Sequence, residues 1–247
     1  MRTTTSLTAA CLSLSALLFT HAAAGAEEKH SLDYENQATW KGVLDQAQSP
    51  IDIVTREAKP AQANEPRAIV LRHLDRATGM AQDNGHAVQF NTHATEATIR
   101  GRYFRMAQFH MHAASEHTID GKQFPLEGHF VFQAQDGRLA VVGVMYQEGR
   151  ANRAIQGILD DLATAKGGAM PKSATLDIKP LLPRKLGYYH YLGSLTTPPL
   201  TQNVEWYVLK QPVSLSAEQL ATLRKHYPRN NRSIQPLNGR PVIEFGG

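Results

Sequence analysis

The sequence contains a single cysteine and no run of charge of one sign. Cys11, alone among 247 residues, excludes a disulfide framework and any zinc finger held by cysteine thiolates. Lys and Arg number 26 against 22 Asp and Glu, a net charge of +4, and they form no basic stripe. We therefore expect no nucleic-acid partner. Histidine is frequent instead, with 11 residues, and the 42% apolar content can form a packed core.

Long apolar stretches are also absent, except near the N-terminus. Arg2 precedes an apolar run over residues 7–19, and small residues at 22–26 offer a cleavage site. This pattern predicts a secretory signal peptide over residues 1–26; the alternative is a buried N-terminal helix. The mature domain, residues 27–247, is then expected to be periplasmic or secreted. It contains no stretch that would cross a bilayer, so no membrane association is expected.

The remainder of the chain alternates short β-rich segments with turn sequences such as Asp-Gly and Asn-Gly. This spacing is typical of a mainly β (α+β), mostly antiparallel single domain. Apolar periodicity predicts one helix over residues 151–166, and a second fits 216–226 with Ser216 as its cap. The predicted strands cover residues 87–91, 97–100, 105–112, 129–133, 139–146 and 204–209.

His110 and His112 lie two positions apart in the predicted strand 105–112. Because side chains alternate along a strand, both imidazoles point to one face, with their Cα atoms about 6.5 Å apart. Two imidazoles at this separation can bind one zinc ion at about 2.0–2.1 Å from each nitrogen. Gln108 lies on the same face and can accept the second ring proton of His110. Taken alone, the pair also fits two ordinary surface or core histidines.

Glu127 and His129 share a face of a second predicted strand. A carboxylate near a metal-binding histidine commonly accepts its other ring proton, and Glu127 is placed to do so. With His129 added, the sequence supports a site of three histidines. Three imidazoles and one open position are typical of catalytic zinc, and the absence of thiolates argues against an iron–sulfur cluster.

Five blocks of the sequence resemble those of α-class carbonic anhydrases of the bacterial, exported type, and they follow that family's order. The resemblance extends from about residue 34 to the C-terminus. The blocks are QSPIDI (48–53), NGH (84–86), QFHMHAASEHT (108–118), SLTTPP (194–199) and QPLNGR (235–240).

The resemblance implies a single domain built on a large, twisted, mostly antiparallel central sheet with short peripheral helices. It implies that zinc is the cofactor, held by His110, His112 and His129. It implies reversible hydration of carbon dioxide to bicarbonate and a proton by attack of zinc-bound hydroxide. In carbonic anhydrases themselves, zinc lowers the pKa of bound water to about 7.

The resemblance also implies roles around the metal. Thr196 would accept a hydrogen bond from the hydroxide and donate its own to Glu116, since a hydroxyl can do both. An apolar wall would hold carbon dioxide, and Thr197 would lie beside bicarbonate. The wall residues are Val131, Val141, Leu195 and, at its floor, Trp206.

A proton must leave the site in each hydration cycle, and histidine is the side chain that titrates near neutral pH. The resemblance makes His86 the proton shuttle, with Tyr34, Asn84 and Gln89 ordering the intervening waters. Without it, His86 would be an ordinary turn residue.

Two other functions remain open at this level. The first is a carbonic-anhydrase-like binding or adhesion module that holds zinc without turnover, and the second is a zinc esterase. All three candidate ligands are present, which favours the enzyme. The expected small-molecule partners are carbon dioxide and bicarbonate, and the sequence leaves a homodimer open.

Overall fold

The computed structural model describes residues 32–40, 42, 46–66, 68–92, 95–165 and 174–246. The predicted signal peptide over residues 1–26 lies outside this part of the chain. In the described residues, no helix has the length and apolar character to cross a bilayer.

Strands account for most of the regular structure, and the two α-helices are α1 (Arg153–Ala165) and α2 (Ala217–His226). The strands are β1 (Asp52–Ile53), β2 (Lys59–Pro60), β3 (Ile69–Arg72), β4 (Ala77–Asp83), β5 (Val88–Thr92), β6 (Glu96–Ile99), β7 (Arg102–His112), β8 (Thr118–Ile119), β9 (Lys122–Gln123), β10 (Leu126–Gln133), β11 (Leu139–Glu148), β12 (Ala174–Leu176), β13 (Tyr188–Ser194), β14 (Gln202–Leu209), β15 (Val213–Leu215) and β16 (Ile243–Phe245).

Thirteen of these strands form one sheet, whose main path runs β12-β4-β5-β7-β10-β11-β14-β13-β16-β2. Within the described chain, ten strand pairings are antiparallel and four are parallel. The parallel pairs include β11 with β14, at the centre of the sheet. The predicted mainly β, mostly antiparallel single domain with peripheral helices is therefore confirmed.

The two faces of the sheet bury different side chains. Phe109 of β7 and Phe130 of β10 belong to the larger apolar cluster, where their ring centroids lie 4.6 Å apart, and both helices pack against this cluster. Alternate residues of the same strands point the other way, so that Val131 joins Trp206 in a second cluster. The candidate zinc histidines of β7 and β10 lie on this second face.

Helix ends follow local hydrogen-bonding groups. Asn152 accepts hydrogen bonds at Oδ1 from the amides of Ala154 and Ile155, so α1 begins at Arg153 rather than at 151. Ser216 caps α2 as predicted, in a capping box with Gln219. The predicted end of α1 at 166 lies outside the described residues.

Replacing Gly128 by alanine is expected to destabilise the fold. In β10 a Cβ at this position would lie 2.7 Å from Cε2 of Phe109 and 3.0 Å from Cε2 of Tyr146, and both rings are fully buried. Forcing a methyl group into such a core costs about 1–3 kcal/mol. Urea unfolding measures the loss, and the matched control is Gly246→Ala, where a Cβ meets no atom within 4 Å. Equal stability of the two variants would contradict this packing.

Candidate metal centre

His110, His112 and His129 lie on the paired central strands β7 and β10. The antiparallel register sets His129 opposite His110 and Glu127 opposite His112. One nitrogen from each imidazole falls within 4.8 Å of the others. Nε2 of His110 and Nδ1 of His129 lie 3.3 Å apart. Three nitrogens that converge in this way can bind one metal ion.

The opposite nitrogen of each ring is held by an acceptor. Nδ1 of His110 donates to Oε1 of Gln108 at 2.8 Å, as predicted. Nδ1 of His112 donates to the backbone oxygen of Asn230 at 2.5 Å. These bonds fix the tautomer, so that Nε2 of both rings carries a lone pair toward the centre of the cluster.

Glu127 fixes the third ring, as the sequence predicted. Its Oε1 accepts hydrogen bonds from Nε2 of His129 at 2.9 Å and from Nδ1 of His117 at 2.8 Å. Its Oε2 accepts the backbone amides of Glu116 and His117, each at 2.8 Å. Burial alone would raise the pKa of Glu127, but His117 and His129 outweigh burial and hold it well below its usual range. The carboxylate therefore stays charged, and Nδ1 of His129 faces the centre.

The imidazoles differ in their affinity for protons. Burial lowers the pKa of His110 and of His112. Burial also acts to lower the pKa of His129, but the Glu127 carboxylate outweighs it and the pKa is raised. Neutral imidazole is the form that binds a metal ion. A metal therefore competes with a proton mainly at His129.

Two buried polar atoms at this centre have no hydrogen-bond partner, namely Nε2 of His112 and Oε2 of Glu116. They lie 3.6 Å apart, and the same carboxylate oxygen is 3.9 Å from Nδ1 of His129. Such groups are costly to bury unless a ligand satisfies them. An all-imidazole donor set suits zinc, so the residues fit the predicted ion.

The predicted hydrogen bond from Thr196 to Glu116 is absent from the structure. Oε1 of Glu116 accepts the backbone amide of Arg232 at 2.7 Å, and Oε2 faces the histidine nitrogens without a donor. The Thr196 side chain is nevertheless buried. The free oxygen of Glu116 retains the capacity to accept one hydrogen bond.

The predicted apolar wall lies beside the histidines. Val131, Val141 and Trp206 occupy neighbouring positions on β10, β11 and β14. The ring centroid of Trp206 is 4.9 Å from that of His129. Leu195 packs against the same cluster, and Thr197 is half-buried next to it in sequence. The wall offers no charged group.

The predicted relay residues divide into a bonded pair and two unpartnered groups. Nδ2 of Asn84 donates to Oε1 of Gln89 at 2.8 Å, and Gln89 lies opposite His110 in the register of β5 and β7. The hydroxyl of Tyr34 and Nδ1 of His86 are buried without a hydrogen-bond partner. Burial lowers the pKa of His86, and Asp83 partly opposes that shift.

Asn230 is a site residue that sequence reasoning missed. Its backbone oxygen orients His112, and its side chain donates to the backbone oxygens of Met111 and His86, each at 3.0 Å. Because the carbonyl is present in any residue type, no local sequence signal identifies this role.

Comparisons with known proteins agree with this geometry. A family model described as eukaryotic-type carbonic anhydrase matches residues 35–245. The carbonic anhydrase of Pectobacterium carotovorum is 41% identical over 198 residues, which cover 79% of each chain. The α-carbonic anhydrase of Thermovibrio ammonificans, solved with the inhibitor sulfanilamide, superimposes with a TM-score of 0.70 at 35% identity over 80% of this chain and 87% of that one. The α-carbonic anhydrase of Photobacterium profundum superimposes with a TM-score of 0.68 at 36% identity over 81% of this chain and 89% of that one.

The chain therefore belongs to the carbonic anhydrase family. It is a lyase whose substrates are carbon dioxide and bicarbonate.

Proposed function

We propose that His110, His112 and His129 bind one zinc ion, and that this ion supports the hydration of carbon dioxide. The observation that carries the proposal is the buried Nε2 of His112, which has no hydrogen-bond partner and faces a cluster of imidazole nitrogens. Zinc held by three imidazoles supplies a nucleophile at neutral pH by lowering the pKa of water to about 7, as is known for carbonic anhydrases themselves.

The protein contributes a binding surface for the gas and a hydrogen-bond acceptor near the metal. Val131, Val141 and Trp206 form an apolar wall that suits a nonpolar substrate. Glu116 offers Oε2 as an acceptor, and we assign the Thr196 hydroxyl as its donor in the working enzyme. A hydroxyl fixed in this way can orient the attacking oxygen with its lone pair.

Hydration of carbon dioxide yields bicarbonate and one proton, and the proton must leave the site. We assign His86 as the group that takes it. Nδ1 of His86 is buried and unpartnered, and Asn84 of the same turn donates to Gln89, which lies opposite His110 of β7. Burial lowers the pKa of His86, which favours the neutral ring, the form that can accept a proton.

A comparison of zinc-loaded and chelated protein in a carbon dioxide hydration assay tests the function. We expect activity with zinc, loss on chelation and recovery on readdition of zinc. Zinc binding without hydration would instead support the binding or adhesion module.

Replacing His86 by alanine is expected to lower kcat in dilute buffer and to leave kcat/KM almost unchanged. The attack on carbon dioxide does not use His86, whereas the later export of the proton does. Imidazole at high concentration should restore much of kcat, because it can carry the proton itself. Initial rates across a series of buffer concentrations provide both parameters. A parallel fall of kcat and kcat/KM without rescue would show that His86 is not the shuttle.

Export and association are further proposals. We propose that residues 1–26 are removed on secretion and that the mature enzyme acts in the periplasm or outside the cell. N-terminal sequencing of the enzyme recovered from periplasmic and culture fractions tests this. The homodimer stays a prediction, which sedimentation analysis of the mature chain can decide.

A further inference from the structure

The turn that carries His86 is shaped by its own side chains. Oδ1 of Asn84 accepts the amides of His86 at 3.0 Å and of Ala87 at 2.7 Å. Oδ1 of Asp83 accepts the amide of Gly85 at 3.0 Å. These bonds define the backbone path of the turn, but they do not fix the turn relative to the metal centre.

The pairing of β5 with β7 places Gln89 opposite His110, and two contacts from the segment after α2 add to this connection between the turn and the metal centre. The first comes from Asn230, which donates from Nδ2 to the backbone oxygen of His86. The second comes from Tyr227, whose hydroxyl donates to Oδ1 of Asp83. Tyr227 is the residue directly after α2, and its ring packs against the larger apolar cluster. The turn is therefore attached at both ends to a segment that also orients His112.

The Asp83 carboxylate that accepts the hydrogen bond from Tyr227 is partly buried. The nearest nitrogen of His226 lies farther away, at 3.9 Å from Oδ2 of Asp83. The hydroxyl of Tyr227 joins this carboxylate to the residue directly after α2, beside the longer contact from His226, the last residue of α2.

We propose that Tyr227 is a positioning residue for proton transfer, which acts on His86 through the Asp83 carboxylate. This inference rests on the proposed function, because it concerns the same relay. Tyr227 itself takes no part in the chemistry at the metal. Its hydroxyl limits the movement of the turn, and so keeps the His86 ring at the distance from the metal that proton transfer requires.

The test is Tyr227→Phe, which keeps the ring and removes the hydroxyl. One such hydrogen bond is worth about a 3-fold to 10-fold change in a conformational equilibrium. We expect kcat in dilute buffer to fall by about that factor, with kcat/KM unchanged and with rescue by imidazole. The matched control is Tyr103→Phe, which alters an exposed tyrosine outside the site.

Two further measurements separate positioning from a general loss of stability. In a His86→Ala background, Tyr227→Phe should cause no additional fall in kcat, because the residue it positions is already missing. Independently of activity, the amide of Gly85 should exchange its hydrogen faster in Tyr227→Phe, since Asp83 is less well held.

The outcomes distinguish the inference from the function on which it rests. A wild-type enzyme that hydrates no carbon dioxide when loaded with zinc overturns the proposed function. With an active wild-type enzyme, an unchanged kcat in Tyr227→Phe overturns the positioning role. Equal falls in kcat and kcat/KM in Tyr227→Phe would also overturn the positioning role. So would an effect of Tyr227→Phe on kcat that adds to that of His86→Ala. Unchanged exchange at Gly85 shows that the hydroxyl does not hold the turn, which also overturns it.

Discussion

Replacing His129 by alanine is expected to release zinc and to reduce hydration to the level of the chelated protein. His129 supplies one of three converging nitrogens, and its other nitrogen is held by Glu127. The two remaining imidazoles are too few protein ligands to hold zinc tightly, so the affinity for zinc falls together with the rate. Metal content after dialysis and the hydration rate are measured on the same sample. The control is His73→Ala, which removes an exposed histidine.

A second group of residues could hold a metal, and the same experiment can be extended to exclude it. His117, Glu127 and His129 also bring ligand atoms within 4.8 Å of one another. In that group, however, both nitrogens of His117 are already bonded, to Glu127 and to the Tyr191 hydroxyl at 2.7 Å. We therefore expect His112→Ala to lose zinc as His129→Ala does, and His117→Gln to retain it. Full zinc content in His129→Ala would contradict both groups.

Replacing Thr196 by alanine is expected to slow hydration by about 10²–10³ while zinc stays bound, by analogy with the loss of one oriented hydrogen bond in other active sites. The side chain is buried, and Oε2 of Glu116 has no other donor. Without the hydroxyl, the attacking oxygen loses its acceptor and the carboxylate stays unpaired.

The conservative variant sharpens this experiment. Thr196→Ser keeps a hydroxyl that can donate and accept, and it should retain most of the rate. Metal analysis verifies that zinc content is equal in both variants. A rate in Thr196→Ala equal to that of the unmodified enzyme would mean that another group orients the attacking oxygen.

The shared face of two candidate metal ligands could be predicted because it follows the simplest periodicity of a strand. His110 and His112 share a face whatever the rest of the fold does, and Gln108 follows by the same rule. The family resemblance then connects them to Thr196 and His86, which no local spacing relates to the metal. The bond that orients His112 was beyond prediction, since it comes from the backbone of Asn230, 118 positions along the chain.

The strands likewise divide into those that the sequence predicts and those that it does not. The β-rich run over residues 105–112 predicts most of β7 (Arg102–His112), whereas the predicted strands do not include β4 or β13. Strand β4 contains Gly79, at which a Cβ would approach the backbone oxygen of Asn91 to 2.1 Å. A glycine required by such a close approach weakens the sequence signal of the strand that contains it. The formation of these strands depends on tertiary contacts, which cannot be read from the local sequence.

Glu127 accepts four hydrogen bonds, two from imidazoles and two from backbone amides, before any ion is considered. Folding therefore positions the imidazole nitrogens before an ion binds. The conformational entropy lost in ordering them does not weaken the binding of the ion. An ion that enters meets a rigid site. Ions whose size or preferred coordination geometry differs from that of the site are therefore disfavoured by poor fit, and not by weak ligand atoms. Chelation should for the same reason leave an ordered sheet behind, ready to rebind, rather than an unfolded chain.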